Sequence, residues 1–162
     1  VELNPISKFL LFQGDIMMKP DNAKFVYAST RCDLLKIVAI ENNSLKEIIT
    51  LNTYFPKFKK ESDDNIAILK ENVNGFISLA TTDNYIYALY SGRSEIQDSA
   101  THYFSQYIYV IDWNGKLIKK MILDKDAWQI CIDEKSKRIY TIHYEMEEYD
   151  TTVQLLVYDD VL

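Results

Sequence analysis

The sequence predicts an all-β protein made of β-propeller blades. Each blade is a four-stranded antiparallel meander, and the chain holds about three. Three observations carry the prediction. Short apolar, β-branched runs alternate with turn chemistry from Asp15 to the end of the chain. Tyrosine is used 12 times, as suits pleated, half-buried surfaces. The runs also recur in groups: second strands read Phe25-Val-Tyr-Ala, Tyr85-Ile-Tyr-Ala and Arg138-Ile-Tyr-Thr, and third strands close on Ile40-Glu-Asn, Ile111-Asp-Trp and Val157-Tyr-Asp. A four-stranded repeat of roughly 50–60 residues is the period of propeller blades.

Residues 1–14 contain Ile6-Ser-Lys-Phe-Leu-Leu-Phe12, expected as a strand or an extended arm packed on the body. The first blade spans about 15–52. Its strands are Asp15–Lys19, Lys24–Thr30, Leu34–Ile40 and Leu45–Leu51, with Pro20-Asp-Asn22 and Glu41–Ser44 as turns. Residues 53–74 break the rhythm as an inserted loop segment, of the length that is usually functional or mobile. The second blade, about 75–124, runs Phe76–Thr81 and Tyr85–Tyr90. After a long polar connection it closes with the hairpin Tyr107–Leu123, whose Asn114-Gly115 tip predicts a type I′ turn. The third, about 127–162, offers Trp128–Asp133, Arg138–Tyr144 and Thr152–Tyr158 but no fourth strand. Residues 6–13 could supply one and cover the exposed edge. Three blades are too few for a ring, since propellers carry about 4–8. The ring therefore needs upstream blades from a longer chain or self-association of two copies.

A net charge of −6 and a pI near 4.9 exclude a phosphate-backbone partner, so no nucleic acid is expected. No apolar run reaches the roughly 18 residues of a membrane span. The chain opens on Val1 without a signal peptide and reads as a processed or truncated product. Cys131 is expected as a small buried hydrophobe and Cys32 in a turn, with no disulfide between them.

Gly14-Asp15, then Pro20 to Tyr27, Ile86 to Arg93, Val110 to Lys116, Ile132-Asp-Glu and Ile139-Tyr140 together resemble the TolB-like six-bladed β-propeller proteins of Bacteroides-type exported proteins. The likeness covers about residues 14–160 and corresponds to the C-terminal half of such a protein. It implies a periplasmic or cell-surface location, often as a lipoprotein. It transfers no catalytic residue.

In a propeller the loops alternate between two faces. Here the turns within strand pairs one–two and three–four are short throughout. Thr53–Asn74, Ser91–Ser105 and the acidic Glu145–Thr151 all fall on the other face, and elaboration of one face of a rigid scaffold is where binding resides. Its ligand-binding candidates are Arg31, Asp33, Tyr54, Arg93 and His102. Arg93 suits a carboxylate or phosphate, or else a structural acid such as Asp33. His143, on a strand, reads as a hydrogen-bonded packing residue. Glu145–Asp150 has oxygen ligands but not the spacing of a calcium loop. No metal site, phosphate loop, nucleophile elbow or Cys–His pair is visible.

The expected function is a non-catalytic exported module that binds a protein or small-molecule ligand through its long-loop face, with no cofactor. The alternative is a metal-dependent hydrolase or lactonase of the six-bladed kind. That chemistry needs acidic ligands on inner strands, and Ile16-Met-Met, Phe76-Ile-Ser-Leu and Gln129-Ile-Cys-Ile offer none at mid-strand.

Overall fold

The structure is a computed structural model that describes residues 3–62, 65–146 and 151–159. It opens with one short helix, α1 (Pro5–Leu11). Strands β1 (Gly14–Met18), β2 (Lys24–Ser29), β3 (Leu35–Glu41) and β4 (Ser44–Leu51) form the first sheet, in that order and antiparallel. A small hairpin, β5 (Phe58–Lys60) and β6 (Ile66–Ile68), occupies the inserted segment. The second sheet is β7 (Phe76–Thr81), β8 (Tyr85–Tyr90), β9 (Ser105–Asp112) and β10 (Leu117–Ala127). The third is β11 (Gln129–Asp133), β12 (Arg138–Met146) and β13 (Thr151–Tyr158).

Each sheet is a meander of sequence neighbours. The first strands β1, β7 and β11 lie side by side as the inner strands of three successive sheets. The second sheet is buried on both faces, and the period-two alternation of its strands sorts side chains into two cores. Phe76, Leu79, Ile86, Ala88, Ile111 and Trp113 meet Val26, Ala28, Leu35 and Ile37 of the first sheet. Ile77, Ala80, Tyr87, Leu89, Ile108 and Val110 meet Leu123, Ala127, Ile130 and Ile139. Fully burying an isoleucine such as Ile86 stabilises the fold by about 1.5–3 kcal/mol.

Four expectations are corrected. Residues 5–11 are helical, because Asn4 accepts the Ser7 amide at 2.8 Å as an N-cap and Pro5 presets φ at the first helical position. That helix removes residues 6–13 as a source of the missing strand, and the third sheet has three strands among the described residues. The Asn114-Gly115 turn is not type I′. Only Gly115 has positive φ (83°), its amide donates to Asp112 O, and the Asp112 carboxylate accepts from Asn114 N and Lys116 N at 2.9 Å. This is the three-residue loop with a left-handed glycine bulge. Positive φ at both central positions occurs instead at Asn42 (50°) and Asn43 (60°), which close the Glu41–Ser44 turn. Finally, Cys131 is exposed, since its strand position alternates away from the core. Cys32 is buried, and both thiols are free.

The Tyr107–Leu123 hairpin also fastens two sheets together. Trp113 Nε1 donates to Thr82 O at 3.1 Å, Lys24 Nζ donates to Trp113 O at 3.1 Å, and Gly115 sits directly on the Ile49 side chain.

Candidate functional site

The long loops interlock at one end of the inner strands. Gly75 N donates to Thr30 O at 2.8 Å, Asn74 N to Arg93 O at 2.8 Å, and Ser91 N to Gly75 O at 2.9 Å. Asn74 Nδ2 and Ser91 Oγ both donate to His102 O, at 3.0 and 2.7 Å. Gly75 is required at this crossing, because a Cβ there would lie 1.7 Å from Cys32 O. The Thr30–Leu34, 69–75 and Ser91–Phe104 segments therefore form one bonded platform.

The five candidate residues divide by what they touch. Asp33 accepts the Thr53 amide at 2.9 Å, the Tyr54 amide at 3.3 Å and the Thr53 hydroxyl, pinning the start of the inserted segment. Tyr54 donates its hydroxyl to Val73 O and pins the end. Burial, foremost, pushes its phenol well above the usual tyrosine range. Arg93 makes a two-pronged pair with Asp126 at 2.6 and 2.7 Å and also donates to Thr101 Oγ1 at 3.1 Å. Its partner is thus Asp126 and not Asp33. The hydrogen bond to Asp126 holds the guanidinium even more firmly protonated than usual. These three side chains are spent on holding loops.

Arg31 and His102 remain together, joined through Tyr103. Arg31 Nη1 donates to Tyr103 Oη at 2.6 Å, and the Tyr103 ring packs on the His102 ring with centroids 4.2 Å apart. His102 Nδ1 lies 3.1 Å from both Asp98 O and Ser99 O, which fixes it as the protonated nitrogen. Arg31 Nε is buried without a partner, and no carboxylate pairs with Arg31 among the described residues.

Two clefts share Arg31 and Tyr103 as a common wall. One, of about 90 Å³, is lined by Lys70, Asn72, Asn74, Glu95 and His102 as well. The other, of about 340 Å³, opens between the inner strands and adds Gln13, Asp15, Thr30, Ile77, Trp128 and Gln129. Gln13, Asp15, Tyr103, Trp128 and Gln129 were not among the sequence candidates. Trp128 could have been found, as a large aromatic directly at the junction of β10 and β11.

His143 is buried in the hydrogen-bonded role expected for it. Its Nδ1 lies 2.6 Å from Asp126 O and its Nε2 2.5 Å from Thr141 Oγ1. No group of three His, Cys, Asp or Glu side chains arranged to hold a metal exists among the described residues. The 147–150 part of the acidic stretch weighed for calcium lies outside the described residues, while Glu145 pairs with Lys125 at 2.9 Å.

Successive antiparallel meanders, with their first strands side by side and their loops gathered at one end, define a β-propeller architecture. Residues 6–135 match the family described as TolB-like 6-blade propeller-like, and the chain belongs to that family. No curated protein matches the chain. No helix among the described residues is long and apolar enough to cross a membrane.

Proposed function

We propose that this chain is a non-catalytic propeller module, exported to the periplasm or cell surface, that binds a small molecule or protein through its long-loop face. The three sheets act as blades of a six-bladed ring, completed by further blades from a second copy or from another segment. The observation that carries the binding reading is Arg31, whose guanidinium forms no ion pair among the described residues and walls two clefts where the long loops meet the inner strands. Around it, Asp33, Tyr54 and Arg93 hold the loops in one geometry, so the face is preorganised and little ordering cost falls on binding. Among the described residues the opposite face carries short turns such as Glu41–Ser44 and Asp112–Lys116.

Amide-resolved NMR of the labelled chain, titrated with a mixture of small organic acids, sugars and amines, tests this. Perturbed amides should cluster in Thr30–Asp33, Ser91–Phe104 and the start of β11. Perturbation confined to the short turns refutes the reading, and none at all refutes its small-molecule form.

A further inference from the structure

We infer that the 340 Å³ cleft between the inner strands takes a hydroxylated monocarboxylate of sugar-acid type, with its carboxylate on Arg31. The inference rests on the long-loop face being the binding face and names the ligand class for it.

Four observations converge. Arg31 lines the cleft and forms no ion pair among the described residues; Tyr103 takes one Nη1–H, which leaves the Nη1/Nη2 edge of the guanidinium without a carboxylate there. A carboxylate answers the guanidinium fork with two oxygens in one plane. The second observation is charge. Asp15 lines the same cleft, so the site offers one positive and one negative group and would leave the second charge of a phosphate dianion uncompensated. Asp15 instead suits a hydroxyl, whose proton it accepts. Third, Gln13, Thr30 and Gln129 complete a ring of neutral donors and acceptors matched to further hydroxyls. Fourth, Trp128 is 38% exposed while its ring packs edge-on against Tyr144 at 5.3 Å. It is therefore a fixed aromatic surface against which the C–H face of a sugar ring can lie. Size decides between the two clefts. Small-molecule sites begin at about 300 Å³, whereas the 90 Å³ cleft on the other side of Arg31 has room for only a few waters.

The test follows tryptophan emission of the full chain during titration with D-glucuronate, D-glucose and inorganic phosphate. The chain has two tryptophans, and Trp113 is 5% exposed and bonded to Thr82, so a change reports Trp128. Glucuronate should give a saturable change that vanishes in Trp128→Phe, with glucose and phosphate at least about tenfold weaker, as expected for the loss of hydrogen bonds to a charged group. Arg31→Gln should weaken glucuronate by at least about the same factor. Should that substitution shift the melting temperature through its tie to Tyr103, the comparison of glucuronate with glucose in the unaltered chain still decides. Glucose or phosphate binding as tightly as glucuronate overturns the inference, and so does glucuronate failing to saturate by on the order of 50 mM. If glucuronate fails while other small molecules still perturb the long-loop amides, the ligand class falls and the binding face stands. If neither does so, the ligand class and the small-molecule reading of the face both fall.

Discussion

Arg31 and Arg93 stand on the same loop face with opposite surroundings. Arg93 is closed off by Asp126 with both side chains about a quarter exposed (27% and 29%), which makes it a brace between the Ser91–Phe104 loop and β10. Arg31 donates to the Tyr103 hydroxyl, lies 5.6 Å from the centre of the same ring, and forms no ion pair among the described residues. A double-mutant cycle separates these roles. Arg93→Gln and Asp126→Asn should each cost about 1–3 kcal/mol in urea unfolding, because each strands a partly buried charge. The double variant should cost less than the two together by at least about 1 kcal/mol. A coupling near zero would show that the pair does not brace the loop. The sequence displays both arginines as candidate ligand groups, and it displays Asp33 and Tyr54 likewise. What separates ligand group from brace is a partner 33 residues away in the case of Arg93, and local pattern carries no trace of such a pairing. Asp15 is hidden in the sequence for the same reason: it looks like an ordinary strand-end residue until the inner strands are set side by side.

At the scale of elements, strands were legible because alternation reports which face is buried, and the second sheet shows two such patterns interleaved. The helix was not, because Ile6–Phe12 is an apolar run without decisive period and its only signal is the Asn4-Pro5 cap. The turn at Asn114-Gly115 was legible as a turn but not as a type, since the Asp112 carboxylate selects the bulged form by bonding two amides. Elements are joined most tightly at Gly75, where β7 begins beneath the Cys32 carbonyl. Gly75→Ala is therefore expected to destabilise by at least about 2 kcal/mol. Gly92→Ala should cost only about 1 kcal/mol: its φ is +68°, yet its Cβ would meet nothing nearer than the Tyr90 ring at 3.1 Å. Equal losses in thermal melts would contradict the crowding described at Gly75.

At the scale of the molecule, the three sheets pack in one series, with the second between the first and the third. The two flanks of the series are the faces that packing leaves unpartnered. On the first sheet Ile16 is 62% and Leu45 69% exposed, with Met18 and Ile40 beside them on the same face by register. On the third, Leu155 is 76% exposed, and Cys131, Tyr140, Val153 and Val157 share its face. Contiguous apolar faces of this kind mark interfaces. In a six-blade family they are where neighbouring blades would pack. The repeat was readable from sequence; which surfaces stay bare was not, because strand parity is set by register. That these two apolar flanks do not stay bare in solution is best checked by light scattering of the isolated 162-residue chain. The scattering mass should exceed the 19.0 kDa of one chain and fall back to that value when Ile16 and Leu155 are both changed to Ser. An unaltered chain that stays at 19.0 kDa at on the order of 100 μM, where even micromolar self-association would be complete, contradicts it.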